Sequence, residues 1–281
     1  MNQIYLRPFG LLTVVKKTDK GLVFKEIPNK LFYNDFIQKN IVEKNEYVNI
    51  EITPEDFKRS VIHRDIEYLY HFTSVNNLIS ILKKGFLPRV FLYDKNRTNN
   101  FKKDFINARF YPDLNDPNRF DGLINCTSFS ISRINEHLLA EYKKRYPTRK
   151  YCILKVRKEL LIDMYSKKSE YFFYHNAASY PFREKKYNFK KGQAFNKMFY
   201  DNLLIQTSTN SLMFTRNFDA QYTTSNQAEV MIDGILNSNN ILEIIFFEKS
   251  DLDYVLSANN ISENIRSKII NLSKIDLNPF N

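Results

Sequence analysis

Two kinds of hydrophobic spacing meet between residues 68 and 85. Tyr68, Tyr70 and Phe72 stand two apart, and then Leu78, Ile81 and Leu82 recur three and four apart after Val75. The first spacing predicts a strand and the second an amphipathic helix. Ser74 stands where a helix needs an N-cap, and Gly85 where it needs a left-handed stop. In such a unit His71 and Thr73 face one way beside the helix start, with Asn77 one turn in. An imidazole, a hydroxyl and an amide around one concave spot can hold a polar ligand such as a dinucleotide. A lone histidine in an aromatic strand is, however, more often a core residue.

Further along, Ser128, Ser130 and Ser132 alternate with Phe129 and Ile131, which predicts a strand with one hydroxyl-lined face. That face either meets solvent at a sheet edge or contacts a ligand. In Tyr222–Ile232, Gln227 and Glu229 are two apart, so at strand spacing both project from one face while Ala228 and Val230 point to the core. Apolar runs at 151–156 and 241–247 read as buried strands. Ile261, Ile265, Ile269 and Leu272 make a last amphipathic helix.

Before residue 62 the pattern changes. Residues 10–15, 20–25, 31–37 and 47–52 read as short strands separated by turns, with no helix among them, which favours a small barrel. The early Gly10, the Lys20-Gly21-Leu22-Val23-Phe24 strand, the aromatic Leu31–Ile37 strand and the Val48-Asn49-Ile50 strand are similar to a cold-shock domain in degenerate form. Lys20-Gly21-Leu22-Val23-Phe24 lacks that family's first aromatic, and Asn34 stands where a histidine is common. The resemblance implies a single-strand-binding platform at Phe24, Phe32, Tyr33 and Phe36, with bases stacked on aromatic rings. The alternative is a structural appendage.

Taken together, the His71-Phe72-Thr73 strand, the helix ending at Gly85, the serine strand and Gln227-Ala228-Glu229 resemble the DarT group of ADP-ribosyltransferases over residues 62 to 250. That family transfers ADP-ribose from NAD to bases in single-stranded DNA. The resemblance implies Glu229 as the catalytic glutamate, Gln227 as the residue that orients the acceptor, and His71, Thr73 and Asn77 as NAD contacts. Ser128 and Ser130 match the serine-bearing strand. The family's arginine between the first and middle strands falls to Arg119 or Arg109; Arg119 is preferred because Asp121-Gly122 leads straight into the serine strand. Cleavage of the nicotinamide–ribose bond builds positive charge on the ribose, which a facing carboxylate stabilises.

Composition fits this chemistry. The 281 residues carry a formal net charge of +11, which suggests a polyanionic partner. Residues 1–60 hold 10 Lys and Arg against 8 Asp and Glu, so most of the excess lies later. The run Tyr171–His175 followed by Tyr180–Lys191, with Arg183, Lys185 and Lys186, interleaves aromatic and basic residues as single strands require. It can equally be a solvated face. The resemblance further implies that residues 207–226 are the loop by which the superfamily selects its acceptor, with Phe214, Arg216 and Tyr222 as candidate base contacts.

Cys126 and Cys152 have neither metal-ligand nor disulfide spacing, so no metal is expected and a reducing cytoplasm is the natural compartment. No apolar run reaches a membrane span, and Arg7-Pro8 interrupt any leader. Six glycines and no Gly-rich loop argue against a Rossmann site, so the NAD expectation rests on the resemblance.

The expected fold is α+β: a split β-sandwich of the ADP-ribosyltransferase kind with helices at 62–281, preceded by an OB- or cold-shock-like barrel at 1–61. The expected function is that of an NAD-dependent toxin that modifies bases in single-stranded DNA, in phage defence, beside a cognate antitoxin such as a macrodomain hydrolase. The same chemistry on RNA, or a non-catalytic nucleic-acid-binding protein on this scaffold, are the alternatives.

Overall fold

A computed structural model describes residues 3–88, 90–91, 122–179, 182, 192–206, 211–217, 219–258, 261–277 and 279. In chain order its strands are β1 (Gln3–Leu6), β2 (Gly10–Thr18), β3 (Gly21–Phe24), β4 (Ile27–Tyr33), β5 (Ile41–Val42), β6 (Tyr68–Ser74) and β7 (Cys126–Ile131). There follow β8 (Tyr151–Arg157), β9 (Glu170–Phe173), β10 (Asn202–Gln206), β11 (Ser211–Thr215), β12 (Glu229–Asp233), β13 (Ile241–Phe246) and β14 (Ser273–Ile275). The chain is mixed α+β and divides into two compact units, Met1–Glu67 with Leu161–Val230, and Tyr68–Leu160 with Met231–Asn281. A boundary at residue 61 does not follow this division, because the first unit joins the N-terminal segment to a stretch far downstream.

In the first unit, β1 to β5 form an open sheet in the order β4-β3-β2-β1-β5. Its two edge strands do not pair, so the expected closed barrel is absent. The reason lies in three helices where strands or turns were expected: α1 (Asn34–Asn40), α2 (Lys44–Asn49) and α3 (Pro54–His63). The first two are seven and six residues long and each buries one apolar side chain, Ile37 and Tyr47. Helices this short show no apolar period; local chemistry holds them instead. Glu43 and Glu46 form a reciprocal capping box on α2, and the Thr53 hydroxyl accepts from the Asp56 amide at the start of α3.

The sheet's inner face corrects the proposed stacking platform. Phe24 and Phe32 are fully buried with Leu6, Phe9, Leu12 and Ile27 in one cluster, each contributing about 1.5–3 kcal/mol by burial. Neither ring offers a face to a base. Tyr33, by contrast, is 62% exposed.

A second cluster in this unit stacks Phe57 on Tyr165 with ring centroids 3.8 Å apart, beside Phe172 and Phe195. Phe172 and Phe173 of β9 are completely buried, so the first part of the aromatic run is core strand and not a nucleic-acid surface. Arg183, Lys185 and Lys186 lie outside the described residues. Beside this cluster Asn196 is a buried polar node. Its amide donates to the Pro8 carbonyl and the Tyr47 hydroxyl, and its oxygen accepts from Ser60. This is how residues near 8, 47 and 60 are tied to residue 196.

The second unit is built on the strand order β14-β13-β8-β6-β7, with β12 next to β7. Strand β6 is central, paired along its whole length with β8 from Tyr68–Arg157 to Ser74–Tyr151. Its even positions, Tyr70 and Phe72, pack on Ile153, Tyr151, Leu139 and Ile245. The helix α4 (Val75–Lys84) follows at once, its start capped by the Ser74 hydroxyl accepting from the Asn76 amide. Gly85 ends it at φ +85°, where an added Cβ would run into the Leu236 carbonyl. This strand–helix unit is as the spacing predicts. Cys126 and Cys152 are buried free thiols in β7 and β8.

Candidate active site

The odd positions of β6 carry the polar groups. His71 donates through Nδ1 to the Ser128 carbonyl over 2.8 Å, because a carbonyl oxygen can only accept. The proton of this bond is therefore on Nδ1. The ring is held edge-on to Phe86 at 5.5 Å and near Phe129 at 5.6 Å. Thr73 is buried, and its Oγ1 accepts from the Asn77 side-chain amide at 3.0 Å. His71, Thr73 and Asn77 thus form one polar edge at the strand–helix junction.

The serine strand is present, but its hydroxyls point elsewhere. In an antiparallel ladder, paired residues share a face, and Ser130 pairs with Tyr70. Ser128 and Ser130 therefore project on the side of Tyr70 and Phe72, opposite His71 and Thr73. The β7 hydroxyl on the His71 side belongs to Thr127, in step with Phe129 and Ile131. It is 8% exposed, and its Oγ1 has no hydrogen-bond partner among the described residues. A buried hydroxyl without a partner costs stability unless a ligand meets it. The orphan beside a histidine and a threonine is what a polar substrate such as NAD would satisfy. Thr127 was legible only as the residue out of phase with the serines.

In the first unit, Glu229 opens β12 and is 6% exposed. Its Oε2 accepts from the Ala177 backbone amide at 3.0 Å. Two residues before Ala177, the buried His175 lies with Nδ1 2.9 Å from the Ser225 hydroxyl. That hydroxyl also accepts from the Gln227 amide at 3.2 Å, and Thr223 donates to the Ser225 carbonyl at 2.8 Å. The segment after β9 thus holds the segment around the start of β12 at two points. A carboxylate fixed by a backbone donor keeps one orientation, which suits it to face developing charge. His175, which stands in the sequence only as part of an aromatic run, carries no local signal of this role.

Gln227 lies in the turn closed by the Ala228 amide on the Ser225 carbonyl, two residues before the strand begins, so it does not share a strand face with Glu229. Arg216 is not a surface group for a base: it is 3% exposed and donates to the Phe199 and Asp219 carbonyls at 3.2 and 2.6 Å. It pins the segment ahead of Glu229. Phe214 packs on His175 at 5.3 Å, and Tyr222 is half-buried. Arg119 and Arg109 lie outside the described residues. Among the described residues no cluster of His, Cys, Asp and Glu could hold a metal, and no helix is long and apolar enough to cross a membrane.

No curated protein sequence matches the chain. Among solved structures it is similar to Thermus sp. 2.9 DarT in complex with carba-NAD+, at 10% identity over 77% of this chain and 99% of that one, TM-score 0.41. It is similar also to the same protein with ADP-ribosylated single-stranded DNA, at 12% identity over 76% and 96%, TM-score 0.39. A third is Thermosipho africanus DarTG with ADP-ribose, at 12% identity over 75% and 50%, TM-score 0.38. The family model described as "ssDNA thymidine ADP-ribosyltransferase, DarT" matches residues 70–272, which include His71, Thr73, Thr127, His175 and Glu229. Spanning well over half of the chain, that match makes this protein a member of the DarT family of NAD-dependent ADP-ribosyltransferases acting on single-stranded DNA.

Proposed function

We propose that Glu229 is the catalytic carboxylate of this enzyme, and that its Ala177-held oxygen fixes the direction in which the other faces the donor ribose. Transfer requires the nicotinamide to leave while positive charge grows on the ribose carbon, and an oriented buried carboxylate stabilises that charge. The single observation that carries this reading is a buried glutamate, inside the stretch matched by the family model, held by a backbone donor. His175 and Ser225 act as positioning residues that set the segment before Glu229. His71, Thr73, Asn77 and Thr127 are assigned to NAD binding; Ser128 and Ser130 are less suited to it because they lie on the other sheet face. Gln227 and Tyr222 are assigned to the acceptor base.

The acceptor of this reading is a thymidine base in a single strand, as the family description has it. In the cell the enzyme acts as a toxin in the cytoplasm, in a phage-defence setting, restrained by a cognate antitoxin such as an ADP-ribosyl hydrolase. A test of the acceptor uses labelled NAD with single-stranded oligonucleotides that each lack one base, a duplex, and an RNA of the same sequence. Label lost only with the thymidine-free strand supports the reading. Label on RNA alone, or on strands without thymidine, contradicts it.

A further inference from the structure

The outer face of the N-terminal sheet is unlike its inner one. The register Lys16–Val23–Leu31 runs across β2, β3 and β4, and the next outward position pairs Tyr33 with Gly21. Val15 is 51% exposed, Leu31 37% and Tyr33 62%, an apolar and aromatic strip open to solvent. Gly21 is required there: a Cβ would collide with the Phe32 carbonyl. The platform is also fixed in place. The Asn34 amide donates to the Lys20 carbonyl at 3.0 Å, and the Asn34 side chain donates to the Asp19 carbonyl at 2.9 Å. The β2–β3 turn that carries Lys20 is thereby clamped to the strand end that carries Tyr33.

Charge identifies the occupant. Lys25 and Lys30 are engaged, with Asp201 at 2.7 Å and Asp65 at 2.8 Å. Lys16, Lys17 and Lys20 are exposed and form no ion pair among the described residues. Lys17 is in register with Leu22 and Phe32 of the inner face, but Lys16 shares the face of Val23 and Leu31, and Lys20 lies in the clamped turn. Two unengaged lysines with an exposed tyrosine and a small apolar strip supply the two components a single strand needs, cations for phosphates and a ring for a base. Residues 1–69 lie outside the stretch matched by the family model. We propose that this face, centred on Tyr33 with Lys16 and the adjoining turn residue Lys20, is a second single-stranded nucleic-acid contact, carried by residues outside the stretch matched by the family model. It holds the strand while a thymidine elsewhere on it reacts. The identity of the strand rests on the acceptor proposed above.

The test measures binding of the full chain to a fluorescent, thymidine-free single strand of about 30 nucleotides, without NAD, as a function of salt. Tyr33→Ala weakens binding about fivefold or more, the loss of one base–aromatic stack. The double variant Lys16→Ala, Lys20→Ala lowers the slope of log affinity against log salt by about 1.4, since each single-strand phosphate neutralised by a lysine adds roughly 0.7 to that slope. Transfer to a short thymidine oligomer of about five nucleotides stays within twofold of wild type in both variants. Wild-type affinity and salt slope in both variants overturn the proposal. So does an equal loss of transfer to short and long strands. If the unaltered protein transfers nothing to any strand yet these variants weaken binding, the catalytic reading fails and this one stands.

Discussion

His71 donates its Nδ1 proton to the Ser128 carbonyl across 2.8 Å, just beyond the Tyr70–Ser130 pair that is the last of the β6–β7 register. The bond places a proton on Nδ1 and fixes the ring plane, so the imidazole is pre-oriented by backbone on a neighbouring strand. His71→Phe keeps the aromatic packing with Phe86 and Phe129 and removes both ring nitrogens. The expected result is an NAD KM raised about tenfold, a single lost hydrogen bond being worth roughly 1–1.5 kcal/mol. Steady-state kinetics at saturating strand checks it, and an unchanged KM would remove His71 from the NAD contacts.

Thr127 separates binding from stability. Its hydroxyl has no partner among the described residues, so Thr127→Val forfeits no hydrogen bond and relieves a buried polar group. Thermal unfolding is expected at or slightly above the wild-type midpoint, while NAD KM rises severalfold. A lower midpoint with unchanged KM would show that the hydroxyl is structural.

Asn196 tests the union of the N-terminal segment with the downstream half of its unit. Asn196→Ala strands the Pro8 carbonyl and the Ser60 hydroxyl in a buried place, a loss of about 2–4 kcal/mol. Urea unfolding reads this as a lower midpoint at unchanged slope. A wild-type midpoint would mean that the two segments are not coupled through this residue.

Glu26 gives a pH signature. Burial pushes its carboxyl above the usual glutamate range, against the lowering effect of the Thr13 amide and hydroxyl, which both donate to it. The folded chain therefore keeps this proton to higher pH than the unfolded chain. Between the ordinary value of 4.5 and the raised one, folded molecules bind more protons, so stability from this group falls as pH rises through that window. In Glu26→Gln that decline is absent. Unfolding midpoints of both proteins from about pH 4 to 7 should diverge across the window; parallel profiles would contradict the assignment.

How much of the molecule was legible in the sequence depended on whether the signal was local. The β6–α4 unit was, because alternation, the Ser74 cap and the Gly85 stop all lie between residues 68 and 85. The helices α1 and α2 were not, since one buried side chain apiece leaves no period, and β-branched residues nearby read as strand. Nor could spacing reveal the hold on Glu229. Its partner is the Ala177 backbone amide, 52 residues away, and a backbone donor has no residue type to recognise. The serine strand was legible but its phase relative to His71 was not: register alone decides which face meets His71, and register is set by β6 pairing, not by the serines themselves.

The Ala177-held Glu229 carboxylate is the group on which transfer depends in this account. The most direct measurement compares wild type and Glu229→Gln for initial rates of ADP-ribosylation of single-stranded thymidine DNA with labelled NAD. Parallel measurements of NAD affinity and thermal midpoint accompany it. Gln keeps an oxygen that the Ala177 amide can reach but lacks the charge. The expected outcome is a loss of roughly 100- to 1,000-fold or more in kcat with NAD affinity and midpoint close to wild type. A variant that retains transfer within about tenfold of wild type would contradict the account.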